Sequence, residues 1–186
     1  MTRTLHAADL PPGSRIDRHG RLVRKSASRS RQRAVGDAAE AVVIDVLARV
    51  RAAYPAICIT RRSTPYRIVG STTRGLLCVP DSSQGVDFAG DVCGRAIYLE
   101  AKSVEKSGRY YLRNMIEPQR TELDNARLRG AHAYLVTVRA GIAMAHEWSC
   151  VRALAGIAHS DGVDLGGLLR ALHESVRCRE WQRVMP

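Results

Sequence analysis

The sequence predicts a mixed α/β domain, a central β-sheet flanked by helices. An apolar stripe with helical spacing fills residues 33–53. Segments with strand-like alternation gather at 57–69 and 86–102, and a second helical segment then precedes another alternating pair at 131–148. With 186 residues and 45% hydrophobic content, the chain can bury a substantial core as one domain.

Taken in order, residues 1–32 read as a disordered basic arm. Arginines recur through it, opposed only by Asp9 and Asp17, and Pro11-Pro12-Gly13 interrupts it without any apolar periodicity. The arm is either a solubilising tail or a flexible grip on phosphates, in which Arg31 and the adjoining Arg33 would contact DNA. The compact domain then spans 33–186. Its first helix, from about Arg33 to Ala53, carries Val35, Ala38, Ala39, Val42, Val43, Val46, Leu47 and Val50 on one face and stops at Tyr54-Pro55. Glu40 and Asp45 flank that stripe at similar angles, so geometry nominates both and chooses neither.

A strand over Ile57–Arg62 ends in Arg61-Arg62, and Ser63–Val69 continues it in extended form. Residues 70–85, bounded by glycines and holding Leu76, Leu77 and Val79, form an excursion that reads as a projecting hairpin. Tyr110-Tyr111-Leu112 suggests a short strand. Pro118 opens a helix that stops at Gly130, with Gln119 in its first turn and Leu123, Ala126 and Leu128 as its apolar members. Ala131–Arg139 and Ile142–Trp148 make a hairpin around Ala140-Gly141. The apolar spacing from Val151 to Val176 predicts two amphipathic helices over 149–180.

The most informative stretch is Gly85–Lys102. In the strand Ala96–Lys102, Ile97, Leu99 and Ala101 point to one face and Tyr98, Glu100 and Lys102 to the other. A turn centred between Cys93 and Gly94 sets Asp87 directly across from Glu100. Cross-strand partners have Cβ atoms roughly 5 Å apart, where two carboxylates repel. Lys102 and a divalent cation would offset that repulsion.

Composition narrows the function classes. Lys and Arg number 29 against 18 Asp and Glu, a net +11 that attracts polyanions, nucleic acid foremost. Aromatic residues make up 5%, which argues against a base-stacking single-strand binder. Five cysteines without a C-x-x-C pair argue against both a disulfide framework and a cysteine zinc site. No apolar run approaches the roughly 18 residues of a membrane span, and the N-terminus lacks the apolar core of a signal peptide, so a cytoplasmic protein is expected.

Asp87 … Glu100-Ala101-Lys102, preceded by a helix bearing Glu40 and followed by one bearing Gln119, resembles the PD-(D/E)xK nuclease core, the restriction-endonuclease-like fold. Thr60-Arg61-Arg62-Ser63-Thr64-Pro65-Tyr66-Arg67-Ile68-Val69 and Arg109–Asn114 followed by Pro118-Gln119 are similar to segments of the RecU-type Holliday junction resolvases. The resemblance covers roughly residues 33–148. Val86 departs from it, standing where the family usually carries a threonine.

The resemblance implies a metal-dependent endonuclease that nicks opposed strands of four-way DNA junctions as a homodimer, in a bacterial or phage setting. Asp87, Glu100, the Ala101 carbonyl and Glu40 would hold Mg²⁺, with Mn²⁺ able to substitute. Lys102 would orient or activate the attacking water, and Gln119 would position phosphate or water. Residues 70–85 would be a stalk entering the junction, with Arg61, Arg62, Arg67 and Arg74 facing phosphates. The alternatives are a nuclease of the same core acting on ordinary duplex, and a non-catalytic basic DNA-binding protein.

Overall fold

The structure, a computed structural model, describes residues 34–62, 85–104 and 107–176 with their side chains, and the backbone alone of 14–16, 22–24, 27–33, 66–72, 75–80 and 177–184. It divides into two units, 1–37 and 38–186. In the first, β1 (Ser14–Ile16) pairs antiparallel with β2 (Leu22–Arg24). Helix α1 (Ala27–Ala53) starts ahead of the expected Arg33.

The second unit continues with β3 (Ile57–Arg61), β4 (Tyr66–Thr72), β5 (Gly75–Pro80), β6 (Phe88–Val92), β7 (Arg95–Ser103) and β8 (Arg109–Tyr111). After these come α2 (Glu117–Leu128), β9 (His132–Arg139), β10 (Ile142–Glu147), α3 (Trp148–Val151), β11 (Gly156–Ala158), β12 (Val163–Asp164) and α4 (Leu165–Val184). Six strands form the central sheet in the order β12-β10-β9-β7-β6-β3. Only β7 and β9 run parallel, and α2 lies in the crossover between them, as a parallel connection requires. The fold is thus the mixed α/β sheet with flanking helices that the sequence predicts. β4 and β5 pair with each other as a separate ribbon that begins before Gly70, and β8 pairs with β11.

Apolar side chains cover both faces of this sheet, which is why strand alternation decides what is buried where. On one face Ala39, Val43, Leu47 and Val50 of α1 and Leu165 and Leu169 of α4 pack on Ile57, Phe88, Ile97, Leu99 and Val136. On the other, Leu123 and Ala126 of α2 and Trp148 and Val151 of α3 pack on Val86, Tyr110, Ala133 and Leu135. Phe88 and Leu99 are direct partners and fully buried, each contributing about 1.5–3 kcal/mol by leaving water. Because Ile97, Leu99 and Ala101 fill the first face, Glu100 is turned into the second, beneath α2.

Two expectations for the flanking helices change. The first of the pair expected over 149–180 shortens to one turn, because Ile157 buries its side chain on a strand that pairs with β8, whereas Leu154 stays exposed. Leu128 lies off the inward face of α2 and is exposed, unlike Leu123 and Ala126. Among the described residues, no helix is long and apolar enough to cross a membrane.

Candidate active site

The β6–β7 hairpin aligns Phe88 with Leu99, which carries Asp87 opposite Glu100 as the spacing predicts. Its turn has positive φ at Cys93 (51°) and Gly94 (76°), the conformation that matches the twist of two-residue hairpins. The Gly94 N–H donates to Asp91 Oδ1 at 3.1 Å and pins that turn.

The two acids interlock at the other end of the hairpin. The Asp87 N–H donates to Glu100 Oε2 at 3.2 Å, and the Ala101 N–H donates to Asp87 Oδ2 at 3.0 Å. Glu100 is 0% exposed. Its Oε1 meets the Lys102 ammonium as an ion pair, with no donor aligned on it in hydrogen-bond geometry. Burial pushes the Glu100 carboxyl up to about 8 from an ordinary 4.5; Lys102 pulls it down, and the Asp87 charge adds to the rise.

Buried polar groups interrupt the apolar packing of the second face, Tyr110 close to Glu100 and the others on α2. Tyr110 of β8 buries its hydroxyl without a hydrogen-bond partner, and burial followed by the charge of Glu100 raises its pKa. Arg120 of α2 donates one guanidinium nitrogen to the Leu112 carbonyl and leaves Nε unpartnered. Gln119 is buried with Oε1 unpartnered. Buried polar atoms without a protein partner are uncommon, and each of these calls for a water, an ion or a ligand group to satisfy it. Two opposed carboxylates, one of them buried, suit a hard divalent cation with oxygen ligands.

Not every residue predicted for the site joins it. Glu40 reaches the sheet end that carries Asp87, but its carboxylate is ion-paired with Arg61. Asp45 instead faces solvent beside Arg49, so the structure separates the two acids that helix geometry left equivalent. Among the described residues no three His, Cys, Asp or Glu side chains group closely enough to hold a metal ion. Arg61 and Arg62 are both about half exposed, and Arg62 is paired with Glu122. The side chains of Arg31, Arg33, Arg67 and Arg74 lie outside the described residues.

Sequence reasoning missed Tyr110, Arg120 and Glu122. The available signal was their position: Glu122 follows Gln119 by one helical turn and adjoins the buried Leu123, a charge on an inward stripe. A buried polar bridge was missed as well. Thr137 is the β9 residue opposite Lys102, and its Oγ1 lies 2.9 Å from both His146 Nε2 and His159 Nδ1. Burial holds both imidazoles below their ordinary pKa of 6.5; His159 adds to this at His146 against Asp161, and Arg139 adds to it at His159.

No known family model matches the chain, and no curated protein matches it. Among solved structures the chain is similar to Hjc, a Holliday junction resolvase of the archaeal hyperthermophile Archaeoglobus fulgidus. The two share 14% sequence identity over 72% of this chain and 94% of that one, with a TM-score of 0.47.

Proposed function

We propose that this chain is a metal-dependent DNA endonuclease, a Holliday junction resolvase of the RecU type that works as a homodimer on four-way junctions. The observation that carries the reading is the interlocked Asp87–Glu100 pair, with Glu100 buried beside Lys102. A merely structural ion pair has little reason to bury an acid against a second carboxylate, since the desolvation cost is large.

Asp87, Glu100, the Ala101 carbonyl and Glu40 would hold Mg²⁺, or Mn²⁺ in its place, which would supply the charge that polarises the scissile phosphate and acidifies the attacking water. The chain's own residues do the rest. Lys102 sets its ammonium beside the pair, opposing the charge on the phosphoryl oxygens as the water oxygen bonds to phosphorus and the bond to the leaving sugar oxygen breaks. Gln119, in the first turn of α2, offers its carboxamide to phosphate or water. Arg61, Arg62, Arg67 and Arg74 would grip backbone phosphates, and Arg31 and Arg33, in the sequence of α1, would add further phosphate contacts. Glu40, now ion-paired with Arg61, would become available to hold the ion once a backbone phosphate took Arg61. The β4–β5 ribbon, which starts at Tyr66 and overlaps the proposed stalk of residues 70–85, would enter the junction centre.

The test is cleavage of a synthetic four-way junction against matched linear duplex, with and without Mg²⁺. Mg²⁺-dependent nicking of the junction alone is the expected result. Equal cutting of both substrates would make the protein an ordinary duplex nuclease, and binding without cutting would make it a non-catalytic DNA-binding protein.

A further inference from the structure

Glu122 has no part in the chemistry above, yet both of its carboxylate oxygens are engaged at the approach to Asp87. Oε2 accepts the Val86 N–H at 2.8 Å, and Oε1 takes the Arg62 guanidinium. Arg62 in turn donates its own N–H to the Asp87 carbonyl at 2.8 Å. The peptide before Asp87 and the strand paired beside it therefore both lead to one carboxylate on α2. The fit is close. A Cβ on Gly85 would lie 1.4 Å from Glu122 Oε2 and 2.6 Å from its Cδ, so glycine alone is compatible with this pose of the side chain.

We propose that Glu122 is a positioning residue for Asp87: a clamp that fixes the chain entering β6 and so aims the Asp87 carboxylate at the cation. The proposal rests on the nuclease reading and adds a residue to it. A charged acceptor on a main-chain N–H makes a stronger hydrogen bond than a neutral one. The clamp grips the residue immediately before the aspartate, where misplacement of about 1 Å can cost on the order of 10²-fold in rate. Val86 itself is 1% exposed, so its N–H has no solvent to fall back on.

Four variants of the full chain test this: Glu122→Ala, Glu122→Gln, Gly85→Ala, and Gly85→Ala combined with Glu122→Ala. Mn²⁺ binding is measured by calorimetry without DNA, alongside junction-cleavage kinetics, thermal melting and amide hydrogen exchange. Glu122→Ala should weaken Mn²⁺ binding and lower kcat about 10- to 100-fold while KM for the junction stays near wild type. Glu122→Gln keeps an acceptor for the Val86 N–H and should recover most of the loss. It also keeps the comparison open should the alanine variant fold poorly.

Gly85 lies outside the left-handed region, so alanine there acts through the expelled Glu122 carboxylate. It should reproduce the Glu122→Ala defect, and the double variant should be no worse than either single. Unchanged Mn²⁺ affinity and kcat in Glu122→Ala, a fall in melting temperature alone, or full additivity in the double variant would each overturn the clamp. Wild-type protein that bound no Mn²⁺ and cut nothing would instead refute the nuclease reading. In that case exchange at the Val86 amide still reads the clamp: slow in wild type and fast in Glu122→Ala if it holds, equal in both if it does not.

Discussion

Glu100→Gln keeps the shape of a fully buried acid and removes its charge, so it tests what that charge costs the fold. The Glu100 carboxyl sits at about 8 in the folded protein against an ordinary 4.5. At about 1.4 kcal/mol for each pH unit, that gap makes ionised Glu100 cost on the order of 5 kcal/mol. The direction follows from proton binding. Between the two values the folded chain keeps a proton that the unfolded chain releases, so stability is full below about 4.5 and is lost as pH rises through about 8. For a chain of this size, 5 kcal/mol corresponds to roughly 10–20 °C in melting temperature. Thermal melts of metal-free wild type and Glu100→Gln from about pH 5 to about pH 9 should therefore diverge as pH rises. The glutamine variant should be the more stable at the alkaline end while its cleavage is lost. Mg²⁺ should raise the wild-type melting temperature there and leave the variant unmoved. Parallel pH profiles for the two proteins would refute the reasoning, because they would mean that Glu100 carries no buried charge.

Asp87→Asn and Lys102→Ala should each lower cleavage about 10²–10³-fold while gel-shift affinity for the junction survives, and near-wild-type cutting by Asp87→Asn would remove it from the site. His146 and His159 titrate below their ordinary 6.5, so the unfolded chain takes up protons first and stability should fall as pH drops below about 6.5. Acid melts in the Glu100→Gln background isolate that loss from the opposite effect of Glu100, and Thr137→Val should shift it; a flat acid limb would count against the buried bridge. Replacing residues 72–83 with a short Gly-Ser link should reduce junction affinity and cleavage while duplex affinity and melting temperature hold, and a retained preference for junctions would assign selectivity elsewhere.

Local rules made the β6–β7 hairpin legible in advance. Period-two alternation, a turn with glycine at its second position and a count along two strands place Asp87 opposite Glu100 without any tertiary knowledge. The α1 stripe from Ala39 to Val50 and the Ala140-Gly141 hairpin are legible for the same reason, whereas Val35 and Ala38, expected on that stripe, stay exposed. Where the reading slipped, the deciding contact lay far along the chain. Apolar spacing around Val151–Ile157 fits a helix, but Ile157 has a strand partner forty-seven residues earlier, at Tyr110, and pairing with β8 overrides the local pattern.

The polar residues around the site separate more sharply than the apolar ones. Arg61 and Arg62 read as a basic pair facing DNA, yet neighbouring strand residues project to opposite faces, so one reaches Glu40 on α1 and the other Glu122 on α2. Neither partner could be read from spacing, since Arg62 and Glu122 stand sixty positions apart. The same crossover that makes β7 and β9 parallel packs α2 on that side of the sheet, where Arg120 meets the Leu112 carbonyl and Glu122 meets Val86 and Arg62. A sheet face covered by a helix is normally apolar, and a sequence selected for stability alone would place leucines at several of these positions. The unpartnered atoms of Tyr110, Gln119 and Arg120, and an acid raised to about 8, cost stability that an apolar face would have kept, which is what a site built for chemistry would show. That pattern favours the nuclease over the inert DNA-binding reading, because a protein that only binds phosphates through surface arginines gains nothing from a destabilised interior.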